Sequence, residues 1–352
     1  MATRYVPILK SRQGELNALR DASPQTRQSM VPLVEVVPPS EDPSPGEAID
    51  KACIDAATKL ADRYSGQPLM LDAGLFDLTV KHRSQTAVGL LAEWAASTGL
   101  DAWPVIRLDD PESAQIDAGR AHERDGRGVT IRLDGEDLDE DAEDVDNALA
   151  GVLSNTGTTR ADTDLLLDVG AIDGDIAVRG GASLVRSLLR GLEDVDQWRS
   201  VTVAAGAFPI DLSQFSPRVI GERPRFDAQL FDAVRSKRLP RDIDFGDFAI
   251  AHPALSTGPA FLPPPQLRYT TAEHWLVLKG RRNDPEGNAQ FHWICETIAK
   301  HPDFVGARLG RADEVIASGS LGKPGNGTTW RTIGTTHHLD YVSLRLTTVG
   351  EP

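Results

Sequence analysis

The chain has 352 residues and a formal net charge of −15, and 40% of its residues are hydrophobic and 25% charged. This balance is typical of a folded globular protein and excludes an intrinsically disordered one. Phosphate contacts require clustered lysine and arginine, so the acidic excess argues against a general nucleic-acid or anionic-membrane binder.

Cysteine content and hydropathy narrow the class of protein further. Only Cys53 and Cys295 are present, which excludes a disulfide framework and a zinc site with four thiolate ligands. Residues 1–10 lack the apolar core of a signal peptide, and no stretch approaches the ~18 apolar residues of a membrane helix. We therefore expect a cytoplasmic protein with no membrane partner.

Eight short apolar runs recur along the chain, each bounded by turn-forming or charged residues and rich in Val, Ile and Leu. They cover residues 5–9, 30–34, 68–71, 103–106, 129–131, 165–167, 201–205 and 248–251. Runs of this length and composition predict buried parallel strands.

Segments with helical spacing of apolar residues lie between these runs. The clearest cover residues 15–20, 48–63, 86–96 and 183–192. Alternation of strands with helix-length connections predicts parallel pairing through right-handed crossovers. Eight such units predict an α/β fold of the TIM-like (β/α)8 barrel type; an open doubly wound α/β sheet is the alternative.

The pattern changes after the eighth run. Residues 267–270 and 275–278 predict a hairpin, and residues 290–300 predict a helix that we expect to close the barrel. We therefore predict a barrel over residues 1–300 and a C-terminal extension over residues 301–352 that packs on it.

Charged residues follow most of the predicted strands. They are Lys10, Glu35, Asp72, Arg107, Arg132, Asp134 and Asp168. Loops at the carboxyl ends of barrel strands converge on one mouth, so these side chains are expected to meet there. As a functional site, the lysine and arginines would bind an anionic ligand, and Asp134 would be a further ligand-binding residue. Glu35, Asp72 and Asp168 would act as catalytic bases or hold a divalent metal ion such as Mg²⁺. The alternatives are a buried lattice of ion pairs, or charges that turn outward into solvent.

Five further residues are candidates for ligand binding. Arg12 follows the first strand and offers a charge for an anion, Lys279 begins a basic cluster, and Trp330 offers a surface for stacking. His337 and His338 could supply a general acid or base, although a histidine pair is more often structural or exposed. Neither cysteine has a histidine nearby in the sequence and the nucleophile elbow motif is missing, so the sequence does not support a nucleophile.

Two blocks of sequence resemble the phage "beta protein" family. The first is residues 5–19, YVPILKSRQGELNAL, with residues 31–36, VPLVEV; the second is residues 330–331, WR, with residues 334–338, GTTHH. The resemblance implies a prokaryotic or phage-borne protein of mobile-element and anti-phage defence loci. It implies no particular reaction, and it assigns no catalytic residue.

These observations lead to one functional hypothesis and one rival from another class. The first is a protein that binds a small anionic ligand, phosphorylated or nucleotide-like, at the barrel mouth, with hydrolysis or phosphoryl-type chemistry if it is an enzyme. The rival is a non-enzymatic scaffold that binds a toxin-like or phage protein encoded nearby. A fold alone does not choose between them.

Overall fold

Eight parallel strands close into a barrel in the computed structural model, which describes residues 3–39, 45–255, 263–319 and 322–352. In chain order the strands are β1 Tyr5–Lys10, β2 Leu33–Glu35, β3 Leu69–Asp72, β4 Ala102–Ile106, β5 Val129–Leu133, β6 Thr163–Ala171, β7 Ser200–Gly206, β8 Gly221–Pro224, β9 Asp244–Asp247, β10 Gln266–Thr270 and β11 His274–Lys279. The barrel order is β1 to β7 followed by β9, and β9 pairs in parallel with β1 to close the ring. The predicted barrel is confirmed, and the open sheet is excluded.

Helices lie between and after the strands along the chain. They are α1 Gln13–Asp21, α2 Pro24–Ser29, α3 Pro45–Tyr64, α4 Ala87–Ser97, α5 Glu112–Asp125, α6 Ala142–Thr156, α7 Asp175–Gly191, α8 Phe226–Arg235, α9 Gln290–Ala299, α10 Arg311–Ser318 and α11 Gly327–Thr348. Within the described ranges, no helix combines the length and the apolar composition needed to cross a bilayer. Cys53 and Cys295 are free and buried, and burial raises the pKa of each thiol to about 12.

The barrel interior is apolar in its middle and polar at its carboxyl end. Side chains two residues apart on a strand share a face, so Val6, Ile8 and Lys10 of β1 point the same way. The apolar interior cluster consists of Val6, Ile8, Val31, Leu33, Met70, Trp103, Val105, Leu166, Ala204 and Phe248. The next inward positions toward the carboxyl end carry charged side chains.

The eighth barrel strand lies four residues before its predicted position. The apolar run 248–251 follows the strand as a turn, and Ala249 has a φ of 49°. Strand β9 itself is polar, but Asp244 forms an ion pair with Arg4 and Asp247 accepts a hydrogen bond from the Tyr5 hydroxyl. Aspartate is rare in buried strands, and here both carboxylates interact with side chains from elsewhere in the chain.

A second, antiparallel sheet of order β10-β11-β8 lies beside the barrel, and its hairpin agrees with the prediction. Helix α9 forms as predicted, but it packs on this sheet: Phe291 and Ile294 belong to the same apolar cluster as Leu267 and Leu278. Helix α11 instead packs against α1 and contacts β1. The expected closing role of residues 290–300 was therefore wrong, while the division at residue 300 stays a prediction.

Candidate functional site

The register of the first three strands brings unlike charges together at the carboxyl end of the barrel. Lys10 lies beside Glu35, and Glu35 lies beside Asp72, in successive parallel pairs. The Lys10 Nζ lies 3.1 Å from Glu35 Oε2, and all three side chains are buried. Lys10 also donates to the backbone carbonyls of His252 and Pro253, at 3.3 and 2.7 Å.

Arg132 of β5 lies at the centre of this group. Its Nη1 donates to Glu35 Oε1 at 3.0 Å and to Asp72 Oδ2 at 2.6 Å, while its Nε and Nη2 donate to Asp168 Oδ2 at 3.0 and 2.6 Å. One guanidinium group therefore holds three carboxylates from three different strands.

Two further residues complete the layer. Arg107, which follows β4, forms a two-pronged pair with Asp72 at 3.1 and 2.9 Å. The ring of Phe248 lies over the layer, 5.6 Å from Lys10 Nζ and 5.9 Å from the Arg132 guanidinium carbon. Three cations and three carboxylates balance one another, so this layer, which we call the mouth network, is a buried lattice of ion pairs, one of the alternatives posed above.

The mouth network lowers the pKa of Asp72. Burial raises the pKa, but the charges of Arg107 and Arg132 outweigh burial and bring the pKa down from 3.8 to about 2. Because the folded-state value lies below the unfolded one, Asp72 stabilises the fold above pH 4, and this contribution is lost as the pH falls through about 2.

We expect the stability difference between the wild type and Asp72→Asn to be fully expressed at pH 5. It should shrink by about 2 kcal/mol as the pH falls toward 2, because one pKa unit corresponds to about 1.4 kcal/mol. Urea denaturation of both proteins at pH 5, 4, 3 and 2 measures this difference. A constant difference over that range would contradict the assignment.

The carboxylates of the mouth network do not fit a metal site. Glu35, Asp72 and Asp168 each pair with Arg132, and the backbone N–H groups of Gly74 and Gly170 donate to Asp72 and Asp168. In the part of the chain that the structure describes, no cluster of three or more His, Cys, Asp or Glu side chains could hold a metal ion.

Asp134 and Lys279 are among the predicted site residues that lie apart from the mouth network. Asp134 is exposed in the loop after β5, where it accepts a hydrogen bond from the backbone of Glu136. Lys279 lies at the end of β11 and donates to the carbonyl of Leu212 at 2.7 Å. Six of the seven charged strand ends therefore meet, and Asp134 does not.

His337 and His338 are fully buried between α11 and the second sheet. The ring nitrogens of His337 bond to Asp313 at 2.9 Å and to the carbonyl of Thr270 at 2.8 Å. Those of His338 bond to the Thr270 hydroxyl at 2.8 Å and to Asp247 at 2.7 Å. All four ring nitrogens form hydrogen bonds, so this pair is part of a buried polar core. This is the structural role considered above, rather than that of a general acid or base.

A second charged site lies beside the mouth, between the first turns of α1 and α11. It is a cavity of about 300 Å³ with Arg12, Arg268 and Arg331 in its wall, which we call the arginine pocket. Its other lining residues are Gln13, Gly14, Glu15, Ile250, Pro263, Gln266, Gly327, Thr328 and Trp330. Trp330, a predicted ligand residue, lies in the wall; its ring stacks on Phe291 and its Nε1 donates to the Pro324 carbonyl at 2.9 Å.

The two inner arginines of this pocket share one acceptor. Arg268 Nη1 and Arg331 Nη1 donate to the same carbonyl, that of Ile250, at 2.6 and 3.0 Å. Among the described residues, no carboxylate oxygen lies within 4 Å of either guanidinium group. Burial lowers the pKa of both groups, and the charge of Arg331 lowers that of Arg268 further, whereas the charge of Glu15 raises both. Two like charges thus face one cavity, and no described carboxylate forms an ion pair with either of them.

Close approach of the two helices builds this pocket. A Cβ atom on Gly14 would lie 2.8 Å from Cγ of Arg331, so only glycine lets α1 and the Arg331 stem pack this tightly. Arg12 and Trp330, which line this pocket, were named from the sequence, but Arg268 and Arg331 were not named as site residues. Two features of the local sequence could have indicated these arginines. Arg331 directly follows Trp330, and Arg268 lies between the buried Leu267 and Tyr269 of β10.

The fold and this site define a closed eight-stranded parallel α/β-barrel protein with a buried charge layer and an arginine-lined cavity at its carboxyl end. The chain belongs to the Beta protein family, whose model matches residues 5–344. The predicted family is confirmed. No curated protein sequence matches the chain significantly.

Several solved barrel structures are similar to this chain at low identity. The mutant (D17N) tryptophan synthase alpha-subunit from Pyrococcus furiosus is 14% identical with a TM-score of 0.39, covering 70% of this chain and 87% of its own. Triosephosphate isomerase from Bartonella henselae is 13% identical with a TM-score of 0.37, covering 69% and 91%. The type I 3-dehydroquinate dehydratase from Clostridium difficile is 10% identical with a TM-score of 0.38, covering 58% and 76%.

Proposed function

We propose that this protein binds a small anionic ligand, phosphorylated or nucleotide-like, in the arginine pocket beside the barrel mouth. The observation that carries the proposal is the pair Arg268 and Arg331, for which the Ile250 carbonyl is the one shared acceptor that the described residues provide. Membership of the Beta protein family supports a place for this activity in an anti-phage defence or mobile-element locus.

The physical basis is the cost of enclosed, unpaired charge. Like charges in a cavity of low polarity repel, and removing each from water is unfavourable. An anion bound between the guanidinium groups offsets both costs and accepts charge-assisted hydrogen bonds from them. The mouth network offers no such gain, because its cations are already matched by carboxylates.

Binding without catalysis is the form of the proposal that the contacts support. Glu35, Asp72 and Asp168 would each have to leave Arg132 to act as a base, so their catalytic role stays a prediction. The scaffold hypothesis is the rival. It gains support if no anion binds while a protein encoded nearby co-purifies with this chain.

Inorganic phosphate at millimolar concentration is expected to raise the melting temperature of the wild type, because a ligand that binds only the native state stabilises it. Arg331→Gln should abolish this increase, as measured by differential scanning calorimetry with and without phosphate. Arg345→Gln is a matched control on the same helix, since Arg345 pairs with Glu351 at 3.4 Å and does not line the pocket. An unchanged melting temperature in the wild type, or an equal increase in Arg331→Gln, would overturn the proposal.

A further inference from the structure

A cleft lies at the amino end of the barrel, opposite the mouth. Its volume is about 890 Å³, and its lining includes Arg4, Ser200 and Asp244, at or just before the start of three barrel strands. Six cations line this cleft, although the whole chain has a net charge of −15. They are Arg4, Arg199, Arg235, Lys237, Arg238 and Arg241. We call this site the basic cleft.

Four of these cations come from residues 235–241, RSKRLPR, which join α8 to β9. Arg235 and Arg241 donate hydrogen bonds to backbone carbonyls, and their charges also act on nearby carboxylates. The side chains of Lys237 and Arg238 are exposed and form no hydrogen bond or ion pair with a described residue. These two charges are therefore available to an anionic group of another molecule.

The complementary charge lies at the other end of the same barrel. Residues 134–146, which follow β5 and run into α6, contain nine carboxylates, most of them exposed, and we call them the acidic segment. Among the described residues, one cation forms an ion pair with this segment: Arg160, which lies 3.5 Å from Asp146. Burial raises the pKa of Asp137, and the charges of three neighbouring carboxylates raise it further, those of Asp134, Asp109 and Glu136. The acidic segment therefore gains from contact with cations.

We propose that the basic cleft of one copy of this protein binds the acidic segment of a second copy, so that the chains associate head to tail. The two surfaces lie at opposite ends of the barrel, so a single copy does not pair its own surfaces. A contact between unlike surfaces leaves a free cleft at one end and a free acidic segment at the other, and it generates chains or rings rather than a twofold dimer. Exposed ion pairs are individually weak, so the association depends on protein and salt concentration.

The lining of the basic cleft favours a polypeptide over a nucleic acid as its occupant. No aromatic side chain is among the described lining residues, whereas sites for single strands present aromatic rings on which bases stack. Asp196 and Asp244 also line the cleft. Their carboxylates repel phosphate groups but accept hydrogen bonds from the N–H groups of a polypeptide. The acidic segment provides both negative charge and such N–H groups.

Sedimentation velocity of the wild-type protein between about 10 and 200 µM, in about 0.1 M NaCl, measures the association. At this salt concentration charges more than about 10 Å apart are largely screened, so contacts between the two surfaces outweigh the general repulsion between acidic copies. We expect the weight-average sedimentation coefficient to rise with protein concentration and to return to the monomer value in about 1 M NaCl, where the screening length is about 3 Å. A wild type that stays monomeric over the whole range in 0.1 M NaCl would overturn the proposal.

Charge reversal at either surface should lower the association constant at least about tenfold, because like charges then face each other. The two double variants are Lys237→Glu with Arg238→Glu, and Asp139→Lys with Glu140→Lys. The first raises the net negative charge and the second lowers it, so a change in general repulsion does not explain a loss in both. Lys51→Glu with Lys59→Glu, at exposed positions of α3, is the matched control for the first variant and should change the association constant less than about twofold. Association that persists in both double variants, or that the control loses equally, would contradict the proposed contact.

An equimolar mixture of the two double variants tests the pairing itself. The mixture should associate as the wild type does, because the intact acidic segment of one variant meets the intact cleft of the other, and the two reversed surfaces are again opposite in charge. If the wild type associates and the mixture stays monomeric, the head-to-tail arrangement is wrong.

Fluorescence anisotropy with a single-stranded DNA of about 20 nucleotides tests the other occupant at the same salt concentration. We expect no binding by the wild type. Binding that Lys237→Glu with Arg238→Glu abolishes would assign the basic cleft to nucleic acid and overturn the proposal.

Discussion

Replacing Arg132 with methionine is expected to lower the free energy of unfolding by about 3–5 kcal/mol, the usual cost of removing one partner of a buried ion pair. Arg132 is the only described cation in contact with Asp168, and it also contacts Glu35 and Asp72. Its loss leaves the three carboxylates with only Lys10 and Arg107. Urea denaturation at pH 7 measures the change.

A matched control separates this effect from the loss of any arginine. Arg127 pairs with Asp101 at 2.6 Å, but both side chains are partly exposed, so Arg127→Met should cost less than about 1 kcal/mol. Adding Asp168→Asn to Arg132→Met should recover part of the loss, because it removes the carboxylate left without a partner. A cost below about 1 kcal/mol for Arg132→Met alone would show that water solvates the mouth network, and it would restore the open mouth as a ligand site.

Replacing Arg268 with methionine is expected to weaken ligand binding while lowering the stability of the ligand-free protein by less than about 1 kcal/mol. Hydrogen bonds to charged groups contribute about 1.5–3 kcal/mol, so phosphate affinity should fall roughly 10- to 100-fold. The ligand-free protein loses an enclosed charge beside Arg331, while Arg331 continues to donate to the Ile250 carbonyl. Isothermal titration with phosphate and thermal unfolding without it measure the two effects.

The same pair of measurements shows whether Arg268 is structural. Its guanidinium group lies 4.5 Å from the ring centroid of Phe208, a contact that contributes some stability. If Arg268→Met lowers ligand-free stability by several kcal/mol, packing rather than ligand binding explains this arginine. Arg218→Met, which breaks an exposed pair with Asp284, should leave both affinity and stability nearly unchanged.

The barrel could be predicted because its signal is repeated. Short Val-, Ile- and Leu-rich runs alternate with amphipathic helices, and only one topology closes eight such units. The position of the eighth strand could not be predicted in this way, because contacts with residues far away in the sequence stabilise it. A Cβ atom on residue 246 would lie 2.7 Å from that of Ala204, so Gly246 lets the two strands approach. Asp244 pairs with Arg4, just before β1, and Asp247 accepts a hydrogen bond from Tyr5 in β1. The residues next to β9 in the sequence do not indicate these contacts.

In the candidate site, too, one part could be predicted from the sequence and another could not. The meeting of charges at the strand ends follows from strand direction, and six of the seven residues do meet. Which cation contacts which carboxylate depends on side-chain reach, such as that of Arg132 across the barrel to Glu35, and residue order does not encode this reach. The arginine pocket depends on how the second sheet lies against α11, so Arg268 and Arg331 come together only through tertiary packing.

The contact between α1 and α11 has a consequence for biosynthesis. Arg12 precedes Arg331 by more than 300 residues, so α1 leaves the ribosome long before α11. Until α11 emerges, β1 can pair with β9, but α1 lacks the helix that packs against it in the folded protein. A nascent chain that has not yet reached α11 therefore exposes this face of α1 and has no arginine pocket.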